Sequence, residues 1–228
     1  MRPRHTFDLE LQRLTDDILL LGSMVDKAIM ESVAALKSRN FEVSRRLMAD
    51  DRLLNEKRYA IEADTLAVIA TQQPMAGDLR TLAAILEIAT ELERIGDYAK
   101  GISKINLLIG NTPLLKPLID IPRMAEKSMD MLRRALDAFV RRDVELARAI
   151  PQEDSEVDDL YNQVYRELIT FILDDVQTIE QANYLLWAAH NLERAGDRVT
   201  NICERVVFTA TGRMQELDAD DSEATIIG

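Results

Sequence analysis

At 228 residues, with 47% hydrophobic and 30% charged side chains, the chain has enough apolar material for a sizeable core in one or two domains and too much for intrinsic disorder. A formal charge of -12 repels phosphate backbones and anionic headgroups, which argues against direct nucleic-acid binding, and a single cysteine, Cys203, rules out a disulfide or thiolate cluster within the chain. Eight glycines and six prolines are too few for the turns of a sandwich or barrel, so the expected class is all-α.

No apolar leader follows Met1 to Phe7, where Asp8 and Glu10 come at once, and no stretch approaches the roughly 18 uninterrupted apolar residues of a membrane span. The expectation is a soluble cytoplasmic protein that does not insert into a membrane.

The first helix carries Leu14, Ile18, Leu21, Val25 and Ala28 on one stripe and runs to about Arg39. Asn40 caps a second helix whose stripe, Val43, Leu47, Asp51, Leu54, Arg58, Ile61 and Val68, has two polar members in need of a reason and ends before Pro74. A third helix from about Gly77 to Ile109 aligns Ile85, Ile88, Leu92, Ile95, Ala99 and Ile102.

Gly110, Asn111, Pro113, Pro117 and Pro122 then interrupt any helix, and this stretch marks the boundary between two three-helix bundles, residues 1–111 and 119–211. The second half predicts helices from Pro122 to about Arg142, from Asp143 to about Asp174 with a kink at Pro151, and from Ile179 to Ala210. Thr178 with Gln181 reads as a capping box for the last helix, and residues 212–228 read as a frayed acidic tail.

The halves are copies of each other. Leu92-Glu93-Arg94-Ile95-Gly96-Asp97 recurs 100 positions later as Leu192-Glu193-Arg194-Ala195-Gly196-Asp197, while Asp51 and Asn55 recur 103 positions later as Asp154 and Asp158. What both copies keep is costly. A Glu and an Asp four residues apart repel by a few tenths of a kcal/mol, and a glycine inside a helix costs about 1 kcal/mol relative to alanine.

Glu93 and Asp97 flank the apolar stripe and point along a groove between helices, where Asp51 and Asn55 face them. Glu193, Asp197, Asp154 and Asp158 form the equivalent set. Facing carboxylates are repulsive unless a cation or protons lie among them, and oxygen donors favour magnesium, calcium, manganese or iron over structural zinc. His190, one turn before Glu193, adds a nitrogen where Thr90 stands in the first copy. Arg94 and Arg194 read as ion-pair partners of Glu91 or of a neighbouring helix, and the nine methionines as core filler.

With its tandem L-E-R-x-G-D segments, Gln73-Pro74 followed by Asp78-Leu79-Arg80, and its two-by-three helix plan, the chain resembles the PhoU family of phosphate-uptake regulators over nearly its whole length. The resemblance implies two pseudo-symmetric three-helix bundles carrying iron or zinc clusters, while the oxygen donors themselves leave magnesium or manganese as alternatives. Glu93 and Asp97, then Glu193 and Asp197, would be ligands, with Asp51, Asn55, Asp154 and Asp158 opposite. Asn55 departs from a fully acidic set, and the second repeat has Asp174, Asp175 and Gln177 where the first has the Gln-Pro and Asp-Leu-Arg elements. It further implies a homodimeric negative regulator of the phosphate-starvation response that contacts a sensor histidine kinase and the phosphate ABC transporter and is not an enzyme.

Two other readings compete. A ferritin-like di-metal oxidase needs Glu-x-x-His on two helices around one buried centre, whereas here His190 precedes Glu193, the first copy has no histidine, and the sites belong to separate bundles. A metal-free helical adaptor is the other.

Overall fold

Two turns of the same construction organise the chain. Arg39 and Arg142, with φ of 56° and 54°, close their helices in the left-handed region. The residues that follow, Asn40 and Asp143, accept hydrogen bonds through their side chains from Val43 N at 3.1 Å and Leu146 N at 3.0 Å, each satisfying one of the free donors of a new helix. The computed structural model describes residues 3–217; the acidic tail at Asp218, Asp220, Asp221 and Glu223 lies outside them.

In the first half α1 (Pro3–Ser38), α2 (Phe41–Gln72) and α3 (Ala76–Ile109) pack against one another. In the second, α4 (Asp120–Arg141), α5 (Val144–Ala149), α6 (Asp154–Asp174) and α7 (Ile179–Thr211) repeat the plan. The described residues contain no strand, and none of their helices is long and apolar enough to cross a membrane. The expected apolar stripes are buried at Leu14, Ile18, Leu21 and Val25 in α1 and at Ile85, Ile88, Leu92, Ile95, Ala99 and Ile102 in α3, whereas Ala28 of α1 and Val43 of α2 are half-buried.

Two local expectations need correction. The helix expected from Asp143 to Asp174 is interrupted rather than kinked: a 3₁₀ turn at Ile150–Glu153 separates α5 from α6. Pro151 is responsible, because it lacks an N–H and its ring crowds the carbonyl four residues back. The Thr178–Gln181 capping box does not form. Asp175 caps the short 3₁₀ turn Val176–Thr178 instead, accepting from Gln177 N at 3.0 Å, and the Thr178 hydroxyl donates to the Asp175 carbonyl at 2.7 Å. Gln181 is buried and faces the connection between the halves, donating to Pro113 O at 2.8 Å and accepting from Leu115 N at 2.6 Å.

The turn after α1 is also held from within the core. Arg39 donates to Asn106 Oδ1 at 2.6 Å and to the carbonyl of Gly110, and the buried Asn106 amide donates to Ala35 O, Asn40 O and Ser44 Oγ at 3.1, 3.3 and 2.8 Å. One side chain thus joins the start of α2 to the end of α3.

The two halves meet along α3 and α7, and their apolar cores merge there into one continuous cluster. These helices run antiparallel with reciprocal contacts. Glu91 accepts from Asn201 Nδ2 at 3.3 Å, and at the equivalent positions with the copies exchanged, Asn191 lies so close to Gly101 that a Cβ there would stand 2.8 Å from its Nδ2. Gly101 is required by this approach of a polar side chain to the α3 backbone.

Candidate metal-binding grooves

Each groove is formed where the second helix of a half lies against its third. In the first, Asp51 comes from α2 and is only 7% exposed, Asn55 and Glu93 are half-buried, and Asp97 is exposed. The helix registers bring the three carboxylates into mutual range. Burial, then the neighbouring Asp97, hold the Glu93 carboxyl above its ordinary range, and burial followed by Asp51 does the same to Asp97. Both shifts have the sign expected of anions crowded in partly dry surroundings.

Two partners of Asp51 explain how a carboxylate sits in an apolar stripe. Lys100 Nζ lies 2.7 Å from Asp51 Oδ2, and Asn55 Nδ2 donates to the Asp51 carbonyl at 3.1 Å and to Oδ2 at 3.3 Å. Lys100 is on α3, one turn beyond Asp97, and its ammonium is held above the usual lysine range first by the Asp51 bond and further by the charges of Asp51, Asp97 and Glu93. Arg58, the second polar member of the α2 stripe, pairs with Glu62 at 3.1 Å and also lowers the Glu93 carboxyl.

In the second groove Glu193 is half-buried, Asp154 opens α6 half-buried, and Asp158 and Asp197 are exposed. Burial comes first in raising the Glu193 carboxyl, followed by the charge of Asp197, with Asp158 adding to it. The His190 ring reaches the same acid, with Nδ1 3.1 Å from Glu193 Oε2. The Tyr161 ring stands 6.0 Å from that of His190, and its phenol is pushed up by burial and then by Glu193.

The conserved-in-both-copies glycines serve different neighbours. A Cβ on Gly96 would meet Leu54 Cδ1 at 2.7 Å, so the first groove is closed there by an aliphatic side chain. A Cβ on Gly196 would collide with Asp154 Oδ1, so the second glycine makes room for a carboxylate lying directly on the α7 backbone. That cradle, with three further carboxylates and an imidazole, is a donor set suited to a hard or borderline cation. Among the described residues no three His, Cys, Asp or Glu side chains stand close enough to ligate one ion as arranged. A cation there would have to draw the flanking carboxylates inward.

The arginines beside the grooves face the seam. Arg94 pairs with Glu91 at 3.3 Å, as its spacing suggested, whereas Arg194 and Arg198 donate to the Tyr98 hydroxyl at 3.2 and 3.4 Å, and Arg198 also reaches Glu91 at 3.2 Å. Cys203 is fully buried on α7, where desolvation pushes its thiol up to about 12. Sequence reasoning passed over Lys100 and Tyr161. The available signal was the repeat itself, which places Thr200 and Arg58 at the matching positions of the other copy.

Comparison with known proteins agrees with the tandem plan. The PhoU domain matches residues 18–105 and again 121–206. A phosphate-specific transport system accessory protein PhoU homolog of Rhizobium meliloti (strain 1021) is 33% identical over 223 residues, spanning 96% of this chain and 94% of the relative. The Escherichia coli (strain K12) phosphate-specific transport system accessory protein PhoU is 30% identical over 223 residues, 97% of this chain and 92% of its own. Among solved structures, the phosphate transport system regulatory protein PhoU from Streptococcus pneumoniae superposes with a TM-score of 0.86 at 31% identity, covering 92% of this chain and 100% of that one. PhoU from Pseudomonas aeruginosa gives 0.85 at 29% identity, with 91% and 100% covered.

Proposed function

The chain belongs to the PhoU family, and from that premise we propose that it is a negative regulator of the phosphate-starvation response and of phosphate uptake, acting by contact with a sensor histidine kinase and with the phosphate ABC transporter rather than by catalysis. The family supplies the phosphate-transport accessory role. The surface supplies a means of contact: at the α6–α7 corner Leu173, Val176 and Ile179 are 80, 64 and 47% exposed, an apolar group on a chain whose net charge is -12. An apolar centre within a charged surround is the usual anatomy of a protein interface.

The groove of the second half is the metal-binding element of this reading. Asp154, Asp158, Glu193 and Asp197 would hold the ion, with His190 within reach as a nitrogen donor, and the Gly196 cradle supports the assignment. A bound cation would offset the mutual repulsion of these carboxylates, bracing α6 against α7. Iron or zinc suits a mixed oxygen and nitrogen set, and manganese or magnesium suits the oxygens alone.

The test is a phosphate-replete cell lacking this protein, with a starvation-responsive phosphatase as reporter. The intact chain is expected to restore repression, and Leu173→Asp with Ile179→Asp to lose it while the purified variant keeps its helical spectrum and melting point. Full repression by the double variant would remove the corner from the interface, and no repression by the intact chain would overturn the regulatory reading. Elemental analysis of protein purified without chelator tests the metal element separately.

A further inference from the structure

The two grooves descend from one sequence, and three of the substitutions between them run in one direction, while His190 in place of Thr90 runs the other way. Where the first has Lys100 the second has Thr200, where the first has Arg58 the second has Tyr161, and where the first has the neutral Asn55 the second has Asp158. The first groove therefore sets three carboxylates, Asp51, Glu93 and Asp97, against two nearby basic groups. The second sets four carboxylates against uncharged residues at those same positions.

The geometry of the first groove follows this bias. The Lys100 ammonium is seated on Asp51 at 2.7 Å, and Asn55 spends its amide on the same carboxylate oxygen at 3.3 Å. The most buried potential ligand is thus already engaged by two donors. Beside Gly96 the space is taken by Leu54, while the corresponding space at Gly196 is taken by a carboxylate. A divalent ion entering the first groove would have to displace an ammonium and approach an amide whose N–H₂ points at the shared oxygen.

We propose that Lys100 is the resident cation of the first groove and closes it to metal ions, so that this chain has one lysine-neutralised groove and one cation-accepting groove. The first clause stands on the Lys100, Asp51 and Asn55 contacts alone; the second rests on the metal reading given above. The tethered ammonium does for the α2–α3 contact what a metal ion would do for α6–α7, without depending on metal supply.

The experiment uses the full chain, stripped with chelator and titrated with Mn²⁺ alone, bound ion being read from loss of the free Mn²⁺ electron paramagnetic resonance signal. In an Asp197→Asn background, which disables the second groove, no uptake is expected. Adding Lys100→Thr should create uptake of about one ion per chain by freeing Asp51 from its ammonium, so that it can join Glu93 and Asp97 as an oxygen donor. Adding Asp97→Asn to that variant should abolish it, and Lys100→Arg should give none. Absence of uptake by a Lys100→Thr chain that retains its helical spectrum and cooperative melt would overturn the proposal.

A second comparison holds even if Lys100→Thr fails to fold. Asp97→Asn alone, with Lys100 intact, should leave Mn²⁺ uptake equal to that of the unmodified chain, and a drop would show that the first groove loads despite its lysine. Failure of the metal reading looks different: the unmodified chain would bind nothing and Asp197→Asn would change nothing, while Lys100→Thr would still gain an ion.

Discussion

Across the seam between the two halves, Arg198 Nη1 stands 3.2 Å from Glu91 Oε2, while Glu91 Oε1 takes Arg94 Nη1 from its own helix at 3.3 Å. Glu91 is only 7% exposed and accepts from Asn201 as well, so a single carboxylate neutralises guanidinium groups from both copies. Removing the buried carboxylate leaves the half-buried Arg198 and Asn201 without their acceptor, whereas the exposed Arg94 returns to water. Glu91→Ala is expected to lower stability by about 1 to 2 kcal/mol, read from urea unfolding, and a loss below about 0.5 kcal/mol would show that water replaces the carboxylate without cost.

Asn106 is the polar hub of the first half. Its amide satisfies Ala35 O, Asn40 O and Ser44 Oγ and its oxygen holds Arg39, which itself sits at φ 56°. Asn106→Ala removes every one of these bonds in a buried place and should cost about 2 to 3 kcal/mol. Hydrogen exchange at the first turn of α2 should accelerate together with exchange at the end of α3, because that one side chain joins them.

The two groove glycines should respond differently to a methyl group. Alanine gains about 1 kcal/mol of helix propensity over glycine in both places. At Gly96 the obstacle is a terminal methyl of the buried Leu54, in the groove that Lys100 occupies, so Gly96→Ala should leave metal content unchanged. At Gly196 the methyl group occupies the place of the Asp154 carboxylate, so Gly196→Ala should lose bound metal while the metal-free protein keeps its stability to within about 1 kcal/mol. Equal metal loss in both variants would make the glycines general packing sites.

Cys203 gives the chain a pH dependence with a definite sign. Its folded value, pushed up to about 12, lies above the ordinary value of 9.0, so the folded state keeps the proton longer than the unfolded state does. The stabilisation is complete below pH 9 and is lost as the pH rises from there toward 12, at up to about 1.4 kcal/mol per pH unit. Cys203→Ala should flatten the fall in stability between pH 9 and 10.5 relative to the unmodified chain. The native thiol should also resist a thiol-specific reagent at pH 8 until denaturant is added.

The fold was legible because its information is local and repeated. Stripes such as Leu14, Ile18, Leu21 and Val25 need only a period to be recognised, and the break between α3 and α4 around Pro113 and Pro117 needs only the absence of a proline N–H. The grooves were legible because a costly feature survived duplication. Lys100 was less so, since its bond to Asp51 spans two helices and depends on their relative register. Gln181 was misread for a related reason: the spacing of a local motif was present, but the linker offered its amide two backbone partners at 2.8 and 2.6 Å, and these prevailed over the cap. Glu91 looked like the i,i+3 partner of Arg94, which it is, and nothing in the linear order revealed the second arginine from 107 residues away.

The reciprocity of the seam has a consequence for symmetry. Position 91 of one copy meets 201 of the other and position 101 meets 191, which is the isologous pattern of a two-fold homodimer written into one polypeptide. A true homodimer is bound to treat both members alike. Two copies in one polypeptide are under no such obligation, so a lysine at one groove need not appear at the other, and a symmetric pair is free to carry two unlike ends.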